Sequence, residues 1–347
     1  MNIITSYKRI EYIDALRGFT MILVVLHHIT QPSQTFINEL FITFRMPLFF
    51  FVSGYIAYKA TEKWDLRSVI NKIIKKIKIQ LIPTAFFGIL FTYTVHNSNL
   101  VSWINDPYKF GYWFTLVLLE LFIIYYVYNL IISRLNPKWG GVIFYAFTVP
   151  LCGINAIDNI HHYKIISVLC LAHLFMYLQF FALGTLVRRY QKVADKLLDN
   201  KYMILIIFLL FFIIYTIIRN STPTTVITDK IIDLLNVGIR YLGLIIVFAT
   251  FRKYQNTFST ATKMGNMLQY IGKHTLDIYL LHYFFIPDIS PFRGFIFSGN
   301  NYVFELFFGI GFSLMVIAIC LIISNIIKTS DLLAHYLFGT KIEKTEK

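Results

Sequence analysis

The chain reads as an all-α protein, a polytopic transmembrane helical bundle of about ten helices with both termini cytoplasmic. Three observations predict this. Of 347 residues, 57% are hydrophobic, 18% aromatic and only 14% charged, with mean hydropathy +0.62, whereas soluble domains carry roughly 25% charged residues. Apolar runs of the ~20 residues that cross a bilayer recur from end to end. Those runs lack the alternation of a closed barrel, so their backbone groups must be satisfied inside helices.

The candidate spans fall near 11–30, 37–58, 79–96, 112–132, 139–154, 165–187, 202–219, 232–251, 268–287 and 303–327. With the N-terminus inside, the outer segments carry only Lys109, Lys164, Arg219, Lys230 and Arg293 as basic residues. All other loop lysines and arginines then fall inside, as cytoplasmic loops require. The net charge of +14 follows from this bias; no aromatic-interleaved basic patch points to nucleic acid. One membrane domain over residues 1–330 is followed by a polar cytoplasmic tail, 331–347, whose end KIEKTEK reads as solvated. The first apolar segment carries Asp14, Arg17, His27 and His28 with no small-residue cleavage site after it, so it is expected to stay in the mature protein. Cys152, Cys170 and Cys320 lie in apolar segments without CxxC spacing and read as packing residues; no metal site is expected.

Ionisable side chains within spans mark function. In YIDALRGFTMILVVLHHIT, Arg17 and His28 are eleven residues apart, which leaves them on one helix face and about 16 Å apart along the axis. His27 is turned away by about 80° on the same count. Two groups so separated would hold two ends of something long, or two parts of one tunnel; a phosphorylated donor at the inner end, with its reactive end reaching outward, would fit. Asp14 lies one turn before Arg17 and can pair with it; a plain structural ion pair plus an interfacial histidine is the simpler alternative.

The second span, FRMPLFFFVSGY, contains Arg45, Pro47 and Ser53-Gly54. Pro47 loosens a turn, and the small pair allows close helix approach. Packing accounts for Ser53 and Gly54 but not for Arg45, which lies toward the outside like His28. Lys72, Lys75, Lys76 and Lys78 follow; they serve as inside-loop charge and also suit a multiply phosphorylated ligand. Trp113 and Glu120, seven apart, share a face of the fourth span. Glu120 sits mid-span and needs a partner, either a structural one or a histidine that it orients. In IGKHTLDIYLLHYFFIP, Lys273 and Asp277 stand at i,i+4, and Tyr279 and His282 one turn apart. No Walker A, GxGxxG, HExxH or GxSxG motif is present.

Taken in this order, YIDALRGFTMILVVLHH, FRMPLFFFVSGY, Trp113-Phe114 and GKHTLDIYLLH resemble the signatures of the acyltransferase 3 family of integral membrane O-acyltransferases. Lys75, Lys76, Lys78 and Gln80 stand where that family's basic motif is arginine-rich, which keeps the charge but loses the bidentate fork. The resemblance implies a multi-pass protein of the plasma or inner membrane. It would transfer an acetyl or other short acyl group from cytoplasmic acyl-CoA to a hydroxyl of an extracytoplasmic or cell-surface glycan: polysaccharide O-acetylation with acetyl-CoA as co-substrate and no bound cofactor. In that reading Arg17, Lys75, Lys76 and Lys78 hold the acyl-CoA, and His28 with Glu120 is catalytic. Asp14, Arg45, Ser53, Trp113, Tyr279 and His282 form or support the acceptor pocket. Its partners are acyl-CoA, a glycan or lipid-linked sugar, and the bilayer. Two rival readings remain: a non-catalytic transporter or flippase of a glycan or lipid-linked sugar, in which the same charges line a path, and a membrane subunit that organises a glycan-synthesis complex, in which the histidines would tolerate substitution.

Overall fold

A helix that is apolar on every side must be buried on every side. α1 (Glu11–Thr30) is that helix: among its residues only Glu11, Arg17, Phe19 and His28 are not buried. Its threonines cause no breaks, because Thr20 and Thr30 donate to the carbonyls of Leu16 and Leu26 one turn back. A computed structural model describes residues 9–30, 36–60, 62, 64–135, 139–156, 163–221, 225–288, 291, 296 and 301–340. Every regular element among them is helical.

In chain order the elements after α1 are α2 (Phe36–Ala57), α3 (Leu66–Lys76), α4 (Ile82–Thr94), α5 (Leu100–Asn105), α6 (Trp113–Leu135) and α7 (Gly140–Leu151). They continue with α8 (Lys164–Val168), α9 (Leu171–Arg189), α10 (Gln191–Leu198), α11 (Lys201–Asn220) and α12 (Val226–Lys253). The chain ends with α13 (Lys263–Lys273), α14 (Thr275–Phe285), α15 (Tyr302–Ile327) and α16 (Asp331–Phe338). Among the described residues, seven helices, namely α1, α2, α6, α9, α11, α12 and α15, are long and apolar enough to cross a membrane.

The other three sequence-derived spans take a different form. The third is split. α3 and α4 are joined through a π turn at Ile77–Leu81, just before Pro83. Proline has no N–H and its ring clashes with the carbonyl four residues back, here that of Ile79, so the helix changes register there. α3 itself exposes Leu66, Ile70 and Ile74 beside basic side chains, the pattern of an interfacial helix. The fifth span is the short helix α7, which runs into a 3-10 turn at Cys152–Ala156. The ninth breaks at His274, whose φ/ψ of −107°/19° interrupt the helix between α13 and α14.

Glycines set the closest packing. A Cβ on Gly18 would lie 1.9 Å from the Leu268 carbonyl oxygen, and one on Gly272 would lie 1.8 Å from that of Asp14. α1 and α13 therefore touch backbone to backbone. α2 and α9 do the same through Gly54 against Phe181 and Gly184 against Phe51, at 2.0 Å each. This is the close approach that small residues permit in membranes, where van der Waals contact drives helix association. At the other extreme, α11 buries only Phe211 and Tyr215 and turns Leu205, Leu209 and Ile213 outward; its apolar outer face suits lipid.

After α15 the chain does not simply trail away. Phe338 of α16 packs on Phe87 with ring centroids 5.8 Å apart, and Gly339, at φ +64°, lies against Ile79. The KIEKTEK end, 341–347, lies outside the described residues.

Candidate active site

The two half-exposed polar residues of α1 open onto one internal cavity of about 670 Å³. Arg17 and His28 both line it. Because α1 is unbroken between them, their spacing is the ~16 Å of eleven helical residues. α2 contributes Thr43, Arg45, Pro47 and Ser53, and α6 contributes Trp113 and Thr115. Pro47 removes the N–H that would have bonded the Thr43 carbonyl; both residues line the cavity. Tyr177 of α9, Arg240 of α12, Thr275 and Tyr279 of α14 and Gln80 of the π turn complete much of the wall.

At the Arg17 end the protein holds its own cation. Arg17 Nη2 donates to Thr275 Oγ1 at 2.7 Å, and Nη1 lies 3.7 Å from Asp14 Oδ1. Asp14 is also held by Arg9. The helix break at His274 puts Thr275 at the start of α14, where it meets Arg17. The break also takes Lys273 out of the expected pair with Asp277: Lys273 is exposed, and Asp277 is held by His274, Ser324 and Lys328.

The lysines run along the outside of this end. Lys76 packs its ammonium 3.6 Å from the centroid of the Phe122 ring and lies within electrostatic reach of Arg17. Burial pushes its pKa down to about 8, with Arg17 and Lys75 adding to the fall. Lys75 lines a separate hollow on α3 with Arg67 and Lys72, and Lys78 is exposed. None of the three lines the main cavity; Gln80 does.

At the His28 end, His28 Nε2 and the Tyr283 hydroxyl are 3.1 Å apart, and the Tyr283 hydroxyl donates to the Gly111 carbonyl at 3.3 Å. A hydroxyl has one proton, and a carbonyl can only accept. When that proton is on Gly111, His28 carries its own on Nε2, donates to Tyr283 and keeps the lone pair on Nδ1. Tyr279 also donates to Gly111, at 3.2 Å. His282 is fully buried behind His28, with ring centroids 5.3 Å apart. Its Nδ1 donates to the carbonyls of Ile278 and Tyr279 at 3.0 and 2.9 Å, and its Nε2 has no partner.

Glu120 is not the group that orients His28. It sits two turns, about 10 Å, along α6 from Trp113 and does not line the cavity; the titratable groups it acts on include Lys109 and Cys170. Tyr283 holds the position that the sequence reading gave to Glu120. Nothing in the residue pattern distinguished Tyr283 beyond its place next to His282.

The loop carrying Gly111 is also unexpected. Lys109, counted above as an ordinary outer-loop charge, is 3% exposed. Its ammonium donates to the carbonyls of Ile104, Asp106 and Ser167 at 2.7, 2.7 and 2.8 Å, which uses all three of its protons. Its burial lowers its pKa. Lys109, Phe110 and Gly111 all have positive φ (49°, 49° and 105°), a costly run for the first two. A Cβ on Gly111 would lie 2.2 Å from the Tyr283 ring. The strained loop thus brings the Gly111 carbonyl to Tyr283 and sets Tyr108 and Phe110 on the cavity wall.

Arg45 is different again. It lines the cavity at 8% exposure, and its Nε and Nη1 have no hydrogen-bond partner. A buried cation without a partner is expensive, so this guanidinium stands ready for a ligand's negative charge. A family model described as an acyltransferase domain, acyltransferase 3, matches residues 10–325. The chain belongs to the acyltransferase 3 family. Comparison with curated proteins and with solved structures returned no match. This acyltransferase 3 protein is a multi-pass membrane protein of an acyltransferase family, and its cavity joins residues from both ends of the matched region.

Proposed function

We propose that this acyltransferase 3 protein moves an acetyl or similar short acyl group from cytoplasmic acyl-CoA to a hydroxyl of an extracytoplasmic or cell-surface glycan, in the plasma or inner membrane. The observation that carries the reading is the single cavity with Arg17 at one end and His28 with Arg45 at the other. A CoA donor has phosphates at one end and a thioester at the other, and such a cavity accommodates both. Arg17 meets the phosphates, with Lys76 and Lys75 adding positive charge at the entrance. The thioester carbonyl lies between His28 and Arg45.

The chemistry then follows from the hydrogen bonds. His28 Nδ1 takes the proton of the acceptor hydroxyl as its oxygen attacks the thioester carbon. Arg45 faces the oxygen that becomes negative, and its unpartnered N–H groups need no reorganisation to bond it. Collapse breaks the C–S bond, and the proton on Nδ1 passes to the departing thiolate. Tyr283 keeps Nε2 protonated and the ring in place throughout. The transferase reading gains over the transport reading because a path for a polymer has no need of a histidine whose tautomer is set by a tyrosine and a strained carbonyl.

The test is label transfer. Membranes containing the protein receive acetyl-CoA labelled in the acetyl group, and label is followed into glycan. Transfer that requires the protein and is lost in His28→Ala at equal protein level is expected. Folded protein that transfers nothing across a range of glycans and short acyl donors would instead favour the transport reading.

A further inference from the structure

The cavity has more fixed positive charge than the proposed reaction uses. Among the described residues its lining contains Arg17, Arg45 and Arg240 and not one aspartate or glutamate. Arg17 is balanced by Asp14. The transfer develops one negative oxygen, and Arg45 answers it. Arg240, midway along α12, remains. Its Nη1 meets the Met176 sulfur at 2.9 Å, a weak acceptor, and among the described residues no carboxylate lies within ion-pair distance of Arg240 or of Arg45. Both guanidinium groups lie within electrostatic reach of the Tyr177 hydroxyl, so they serve the same lobe.

That lobe is also lined by a stack of aromatic rings, whose outer edge or face a sugar can meet. Trp113 lies nearly parallel to Tyr177, with centroids 5.6 Å apart at 23°, and against His173 at 4.2 Å and 34°. All three line the cavity. The negative face of an aromatic ring attracts the partly positive C–H face of a sugar ring. A sugar stacked there sits beside two cations with no counterion of their own.

We propose that the acceptor is a negatively charged glycan, one bearing carboxylate or phosphate groups, with Trp113 and Tyr177 stacking its ring and Arg240 binding its charge. This rests on the transferase reading above. Arg240 selects the acceptor and takes no part in bond making. The donor phosphates are served separately, at Arg17, on a different helix and at the other end of the cavity.

The experiment compares three acceptors with labelled acetyl-CoA and the full-length protein: oligogalacturonate, a phosphorylated oligomannose and neutral oligogalactose. A charged acceptor is expected to show kcat/KM at least about tenfold above the neutral one, the scale of one lost charge-assisted contact. The carboxylate and phosphate arms show which anion is used. Arg240→Gln should remove most of that preference by raising KM for the charged acceptor, with KM for acetyl-CoA unchanged; Arg240→Lys should keep part of it. Equal use of charged and neutral sugars by the unaltered protein overturns the proposal and leaves the transferase reading standing. So does an Arg240→Gln effect confined to acetyl-CoA, which would assign Arg240 to the donor. Thermal unfolding of the detergent-solubilised protein gives a second readout that needs no turnover. Protection by a charged oligosaccharide, lost in Arg240→Gln, with no transfer to any acceptor, would support the anion site and sink the transferase reading. Neither protection nor transfer overturns both.

Discussion

Arg17 and Arg45 line the same cavity, yet the protein treats them in opposite ways. Arg17 is bonded to Thr275 and neighboured by Asp14, so its position is fixed before any ligand arrives. Arg45 is more deeply buried and has two nitrogens with nothing to bond. On the proposed reading, the contrast matches what each end would be for. A group that only anchors a ligand can share its charge with the protein, because binding needs position more than strength. A group that answers charge appearing during a reaction works best when that charge is its only strong partner.

The largest effect should come from the base beside Arg45. His28→Ala is expected to lower kcat for acyl transfer by about 100-fold or more, the usual range for a lost general base, at unchanged protein yield. Next, the two arginines should separate cleanly. Arg45→Gln should cut kcat by about 100-fold with little change in KM for acetyl-CoA. Arg17→Gln should raise that KM by about tenfold and leave kcat near its original value. If the two phenotypes came out reversed, the cavity would run the other way and the comparison would break.

Tyr283→Phe sharpens the contrast on a smaller scale. It removes the hydroxyl that holds His28 Nε2 but leaves the ring packing intact, so kcat should fall about tenfold with both KM values steady, as for loss of an orienting hydrogen bond. The smallest effect concerns pH. Lys76 is charged below about 8 and neutral above it. KM for acetyl-CoA should therefore rise about two- to threefold, the worth of one partly screened charge, as pH climbs through 8. Lys76→Arg, which stays charged, should flatten that rise. A flat profile in the unaltered protein would remove Lys76 from the donor end.

Much of the site could be read in the residues themselves, for a physical reason. A charged side chain in a span is rare enough to stand out, and helical periodicity then says which such residues share a face. That is why Arg17, His28 and Arg45 were each identifiable; Trp113 was named from the face it shares with Glu120 and from the resemblance, and all four line one cavity. Family membership over residues 10–325 agrees with the motifs that carried the resemblance. What periodicity does not contain is the depth of one helix against another. Glu120 had the right residue type but lies two turns along α6 from Trp113 and does not line the cavity. Tyr283 reaches His28 only because the loop at 105–112 bends back on a buried Lys109 to present Gly111. Arg240 falls within the span at 232–251, but its neighbours Met176 and Tyr177 belong to another helix. The break at His274 was hidden because Thr275 and Asp277 settle it through partners on α1 and α15.

The unbroken run of α1 between Arg17 and His28 makes this helix a ruler. Its backbone touches α13 at Gly18 and Gly272, so neither end can slide relative to that neighbour without a collision. On the proposed reading, a donor gripped at Arg17 presents its reactive carbon at His28 only if the linker between them has the matching reach. The acyl group lies beyond that point, so modest changes in acyl length leave the measured distance untouched, whereas shortening the arm does not. A truncated thioester lacking the nucleotide would forfeit the anchor, and would have to replace by bulk concentration what the ruler supplies as local concentration.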